Sequence, residues 1–440
     1  MGSALGSAVC LIWFLALPFA SSPCLAQGSD RFAAEHLWGK VSQNNWEPTV
    51  AADPGSNWVY QLTSDQDSLK ILFRGSSDSG DTWGPAKSFC GPRNPNLWEY
   101  DPQIQVSLDG TIYAACLNRF NPGVVFTKST DHGETWTRAL RVDGKLGYSD
   151  KPILLISPSG QDVYLAFNDF YSFEIVVSHD FGASFSSPLR VNREHLWFYP
   201  YGGTVSPDGT VYFAVGGEGG NNQTGPVKIE LVRSSDGGQT WKWTSFGTSH
   251  EGAVCKVRNC YPDFFDAQTA VASDSSGLLL SAYTINQVRH GPNQLYIRTS
   301  TDGIHWSAKK LINSLGNSTS PAVAPGPAPG DFRLVWQDNR NGPHAWNTWY
   351  SRTTDGGRQW SSAIRLSNRG SGAPYKTPAG YKFPFGDYFG LAVNTSGGNF
   401  VIWGEGDGVY ANGGTWYTRG LAEDHSVSMA PLNLLGYGIP

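Results

Sequence analysis

An eight-residue phrase, Ser-x-Asp-x-Gly-x-Thr-Trp, recurs along this chain and constrains its fold more than any other feature. It stands at Ser76 to Trp83, Ser129 to Trp136 and Ser234 to Trp241. Looser copies stand at Ser178 to Phe185, Ser300 to Trp306 and Thr353 to Trp360. The aspartates Asp78, Asp131, Asp180, Asp236, Asp302 and Asp355 are spaced 53, 49, 56, 66 and 53 residues apart. A period of about 40–50 residues predicts a propeller of four-stranded blades. Within the phrase, Asp accepts hydrogen bonds from nearby backbone N–H groups, Gly supplies a positive φ, and Trp packs against the apolar seam. The recurring aspartates therefore read as scaffolding and not as catalytic carboxylates.

A second repeat falls between the first. Asp109-Gly110-Thr111-Ile112-Tyr113, Ser159 to Tyr164 and Asp208 to Tyr212 are hairpin signals, with weaker versions around Gly55, Gly277, Gly330 and Gly397. Seven hairpins against six octapeptides imply that the last unit is incomplete. Its third strand, Gly414 to Arg419, resembles Asn347 to Arg352, and no octapeptide follows it. The segment Leu37 to Ser42 resembles fourth-strand phrases such as Ser187 to Val191. The expectation is an all-β, seven-bladed propeller of antiparallel sheets, with six blades as the alternative count. The N-terminal segment is expected to close the ring as the outer strand of the last blade and so protect an open sheet edge.

The repeats run through the chain without a break, so residues 27–420 read as one domain, with 421–440 as a tail. Ala8 to Ala20 is apolar but too short to span a bilayer, and small residues follow it. Residues 1–26 read as a signal peptide, which implies a secreted or periplasmic protein with no stable membrane span after processing. Four cysteines then remain, and two disulfides are expected, Cys90–Cys116 and Cys255–Cys260. The sequons at Asn222, Asn317 and Asn394 matter only in a glycosylating host. No histidines stand at zinc-ligand spacing, and no metal or other cofactor is expected. A net charge of −5 with no basic run argues against nucleic acid. A monomer is expected.

Topology sorts the loops. The Asp-Gly turns and the octapeptides fall on one face. The segments leading into the inner strands, and the turns between second and third strands, fall on the other, around the mouth of the central channel. That second face carries Asp101, Asp150, Asp387, Tyr388 and Glu405 as candidate catalytic residues, and Arg119, Arg289 and Arg340 as candidate substrate-binding residues. Asp101, Asp150 and Asp387 read as equivalent positions in different blades, which suits a repeated structural cap as well as catalysis. Carboxylates whose environments separate their pKa values can hydrolyse glycosides, arginine forks suit carboxylates, and aromatic rings suit sugar faces.

The octapeptide resembles the Asp box, or BNR repeat, of the sialidase superfamily, and phrases such as Tyr148 to Pro152 and Phe385 to Tyr388 resemble exported bacterial sialidase-like proteins. The resemblance implies a carbohydrate-acting propeller with an arginine cluster, a Tyr–Glu nucleophile pair and an Asp acid/base, and no catalytic metal. Tyr388 and Glu405 would be that pair. The family's Arg-[Ile/Leu]-Pro motif is absent here, and the family usually has six blades. Three functions stay open: a sialidase-like hydrolase of terminal, acidic sugars; a non-catalytic propeller binding glycan or protein; and a uronic-acid lyase, for which His290 and His344 lie beside Arg289 and Arg340.

Overall fold

A computed structural model describes residues 30–39, 45–65, 67–88, 90, 98–119, 123–192, 194–219, 226–252, 267–342, 345–368, 389–406 and 413–421. Residues 1–29 and 422–440, Cys255, Cys260, His344, Asp387 and Tyr388 lie outside them. The strands form seven antiparallel sheets arranged as blades of a propeller. The inner strands are Asn45–Ala52, Glu99–Val106, Asp150–Ile156, Trp197–Val205, Thr269–Ser273, Ser318–Pro325 and Gly390–Val393. In the first six blades the chain runs inner to outer in sequence order. Among the described residues no helix is long and apolar enough to cross a membrane.

The seventh blade is completed from the other end of the chain. Arg31–Phe32 and His36–Leu37 both pair antiparallel with its third strand, Gly413–Leu421, in the register Arg31↔Leu421 and Leu37↔Trp416. Two backbone bonds reinforce the seam, from Ala33 N–H to Arg419 O at 2.9 Å and from Trp38 N–H to Thr415 O at 2.7 Å. Asp30 extends it, accepting from the Tyr350 hydroxyl at 2.5 Å and pairing with Arg352 at 3.2 Å in the sixth blade.

The octapeptides form near-identical turns. In the first, Ser76 Oγ accepts from Gly80 N–H at 2.9 Å, and Asp78 accepts from Thr82 N–H at 2.9 Å and from its hydroxyl at 2.5 Å. The same bonds recur at Ser129 to Thr135 and at Ser234 to Thr240. The aromatic that ends the phrase packs on an aromatic of the preceding blade: Trp136 lies edge-on to Phe73 at 5.4 Å, and Phe185 to Phe126 at 5.0 Å. Gly133 and Gly182 adopt φ of +83° and +74°, and a Cβ on either would meet those same phenylalanine rings at 2.4 Å. Glycine is thus required there for both backbone and packing. The core is a ring of blade-to-blade seams, such as the one joining Tyr113 and Phe126 to Leu154, Leu165 and Phe167. Cys90 and Cys116 form a disulfide with Cα atoms 6.7 Å apart, tying the outer edge of the first blade to the second strand of the next.

Candidate active site at the channel mouth

The inner strands begin with a shared irregularity. Strand pairing skips two residues between Trp46 and Thr49, between Tyr100 and Gln103, between Asp150 and Ile153, and between Thr319 and Ala322. Each bulge holds a residue followed by proline: Glu47-Pro48, Asp101-Pro102, Lys151-Pro152 and Ser320-Pro321. The four residues before proline have φ of 52°, 51°, 53° and 50°. Non-glycine residues avoid that region, and a following proline favours extended backbone instead. Strain of about 1–3 kcal/mol per residue persists only where surrounding structure enforces it, and such outliers gather at functional sites.

The bulges turn these side chains inward. Glu47, Asp101, Lys151 and Ser320 are all buried. Lys151 Nζ sits 3.9 Å from Glu47 Oε1 and 3.8 Å from Asp101 Oδ1, so one ammonium is flanked by two carboxylates from three consecutive blades. Asp101 N–H donates to Glu47 Oε2 at 3.2 Å. Buried charges persist when compensated in this way. Across the mouth, Gln268 Oε1 accepts from Ser320 N–H at 2.6 Å and from the Thr319 hydroxyl at 3.2 Å. Gln268, Ser320 and Tyr201 line the adjoining channel, a cavity of about 150 Å³ to which all seven inner strands contribute.

Asp150 flanks this cluster. Its Oδ2 accepts from the Tyr148 hydroxyl at 3.0 Å and its Oδ1 from Lys151 N–H at 3.0 Å. Burial, reinforced by Asp150, pushes the Tyr148 phenol far above its usual range. Burial also pushes Tyr100 up to about 12, with Arg119 opposing and Asp101, Glu47 and Asp150 adding to the rise. Both phenols therefore stay protonated at neutral pH, and Tyr148 donates its proton to the hydrogen bond with Asp150. Arg119 is exposed, at φ +56°, and among the described residues makes no ion pair.

Aromatic rings continue outward from the mouth across the third and fourth blades. Tyr148 stacks on Phe170 at 4.3 Å, Phe170 meets Trp197 at 6.1 Å, and Trp197 meets Tyr171 at 5.8 Å and Tyr199 at 6.2 Å. Tyr199 in turn stacks on Tyr201 at 6.2 Å.

Several expectations need correction. Asp101 and Asp150 are not equivalent. Aligned on the bulge, Asp101 matches Lys151, while Asp150 matches Tyr100, one residue earlier. The proline that follows each bulge residue fixes the register, and it aligns Glu47, Asp101, Lys151 and Ser320. Glu405 is fully buried and accepts from the Trp403 indole N–H at 2.9 Å. Asp338 does the same for Trp336 at 2.8 Å in the sixth blade, so this position braces a strand end. The three arginines do not share one pocket with the carboxylates. Arg340 is locked onto Asp338 and Asn313 and stacks 3.8 Å over Trp349, toward the outer strands. Arg289 pairs with Glu251 at 3.4 Å, and His290 bonds Gly252 O at 2.8 Å, beside the loop that follows the fourth blade's outer strand. Of the three, only Arg119 acts on the Tyr100 environment that Asp101 and Asp150 share.

No family model and no curated protein matches this chain. Solved structures do. A protein of unknown function from Dyadobacter fermentans DSM 18053 is 14% identical over 88% of this chain and 98% of its own, with a TM-score of 0.51. An ulvan lyase bound to -[GlcA(1-4)Rha3S]- is 12% identical over 87% of this chain and 95% of its own, with a TM-score of 0.54. The NanB sialidase of Streptococcus pneumoniae is 13% identical over 88% and 70%, with a TM-score of 0.44. At these identities the first two likenesses concern the propeller fold alone.

Proposed function

We propose that this chain is an exported glycan-acting enzyme that hydrolyses a glycosidic bond at the channel mouth, with acidic sugars as its substrate class. The observation that carries the reading is the pairing of Glu47 and Asp101 with one buried ammonium, on backbone strained at three consecutive bulges, with Asp150 bonded to the backbone N–H of the same lysine. In this reading Asp101 and Asp150 are the acid/base pair. Glu47 and Lys151 hold Asp101 in position, and Arg119 meets a substrate carboxylate. The acidic substrate class gains support from the glucuronate-bearing ligand named for the ulvan lyase that shares the fold. The Cys90–Cys116 disulfide is consistent with an oxidising compartment.

The test is a panel of fluorogenic sialosides and uronic-acid polysaccharides, including ulvan, assayed for new reducing ends and for the ultraviolet absorbance of an unsaturated uronate. Hydrolysis yields the first signal without the second, and Asp101→Asn lowers kcat/KM at least about 100-fold. Absorbance rising with the reducing ends would replace hydrolysis by elimination. Turnover that survives Asp101→Asn would move the chemistry elsewhere.

A further inference from the structure

The turn between the second and third strands of the third blade breaks a local rule. Asp169 pairs with Ser172, so Phe170 and Tyr171 alone form the loop. Two-residue hairpin loops favour Asn-Gly or Asp-Gly, because their first residue needs a positive φ. Here Phe170 takes φ of +50° and is 49% exposed, and Tyr171 beside it is 36% exposed. A bulky residue in that conformation is an outlier, and placing two aromatics in solvent adds to the cost. The turn is also braced: Asn192 and Arg190 donate to Tyr171 O at 3.0 Å and 3.3 Å. Broken local rules of this kind mark functional positions.

The rings lead to the proposed site. Phe170 stacks on Tyr148, whose hydroxyl holds Asp150, and Trp197 and Tyr199 carry the row on to Tyr201 at the channel. We propose that Phe170, Tyr171 and Trp197 form a platform on which successive sugar rings of a polysaccharide stack, so that the substrate is a chain threaded across the third and fourth blades and not an isolated terminal sugar. The inference rests on the glycan-acting reading above. Aromatic faces suit the apolar faces of sugar rings, and continuity with the carboxylates orients the chain toward Asp150.

Affinity electrophoresis in gels containing alginate, polygalacturonate, ulvan or neutral xyloglucan tests the platform apart from catalysis. The wild type should be retarded by at least one acidic polysaccharide. A double variant, Phe170→Asn with Tyr171→Gly, supplies the turn's preferred residues. It should keep or raise the thermal midpoint while its affinity falls about tenfold, as expected for the loss of two ring contacts. Retardation undiminished in the double variant, or absent for the wild type in every gel, overturns the platform. If the double variant loses retardation but no polysaccharide is cleaved by the wild type, the platform stands and the hydrolase reading alone fails.

Discussion

Glu47, Asp101, Lys151 and Ser320 share one backbone anomaly but carry four different side chains, so the bulge is scaffold and the side chain is its cargo. Only part of this was legible in the sequence. Asp101 stood out as a carboxylate leading into an inner strand, whereas Lys151 sat unremarked beside Asp150, because alternation alone predicts regular pairing and a bulge shifts register by one residue. The ammonium of Lys151 compensates two buried carboxylates, so Lys151→Met leaves Glu47 and Asp101 buried without their cation. Removing one partner of a buried ionic cluster costs about 3–5 kcal/mol, so the thermal midpoint should fall clearly, and Lys151→Arg, which keeps the charge, should fall less. Equal losses in the two variants would mean that Lys151 acts through packing alone. Glu230 offers a separate test, away from the mouth. It lines a groove with Phe198, Trp241 and Trp243, and burial pushes its carboxyl up to about 7. Folded protein therefore holds a proton that unfolded chain releases near 4.5, and stability declines as pH rises between those values. Glu230→Gln should stabilise by about 1–2 kcal/mol at pH near 8, allowing for partial solvent access, and by nothing near pH 4. Thermal scans at the two pH values decide it.

At the scale of the element, the octapeptide turn was the most legible feature, because every bond it makes is local. Ser, Asp, Gly and Thr within a few residues supply donor, acceptor and φ without help from the rest of the fold. Hydrogen bonds from Thr82, Thr135 and Thr240 hold Asp78, Asp131 and Asp236 down at about 2. A depressed carboxyl contributes stability that is fully present above its unfolded value of 3.8 and is lost as pH falls toward 2. Asparagine at all three positions should lower the midpoint at neutral pH and flatten its decline between about pH 4 and 2, with kcat/KM unchanged. A fall in kcat/KM without loss of stability would show that the recurring aspartates are more than scaffolding. The turns around the channel mouth were far less legible. Asp338 and Glu405 look like free loop carboxylates in a string of letters, yet tryptophans two residues earlier bind them. Likewise Arg340 pairs two residues back, and reaches Asn313 only because the fifth and sixth blades touch.

On the scale of the whole molecule, a propeller must join its first blade to its last, and the mismatch of six octapeptides with seven hairpins announced how. The N-terminal strands fill the outer edge of the seventh blade, although the segment pairs in two short pieces, Arg31–Phe32 and His36–Leu37, and not as one run. The phrase Leu37 to Ser42, whose likeness to fourth strands gave the expectation, includes only Leu37 of these paired residues, and residues 40–42 lie outside the described ones. The closure is anchored by burial and charge together. Trp38 is 2% exposed and packs beside Val50 and Ile402, Phe32 meets Tyr350 edge-on at 4.7 Å, and Asp30 pairs with Arg352. A chain beginning at Gly39 loses all three, and with them about 5 kcal/mol of apolar burial. Its thermal midpoint should fall by about 5–10 °C, since each kcal/mol shifts a domain of this size by about 1–2 °C. A chain beginning at Asp30 keeps the closing strands and should match the full-length midpoint. Asp30→Ala in that shorter chain isolates the ionic part of the latch and should produce a smaller drop, because Phe32 and Trp38 remain seated. A midpoint unchanged on removal of residues 1–38 would mean that the ring holds through its blade-to-blade seams without the N-terminal strands, and that the outer edge of the seventh blade is dispensable.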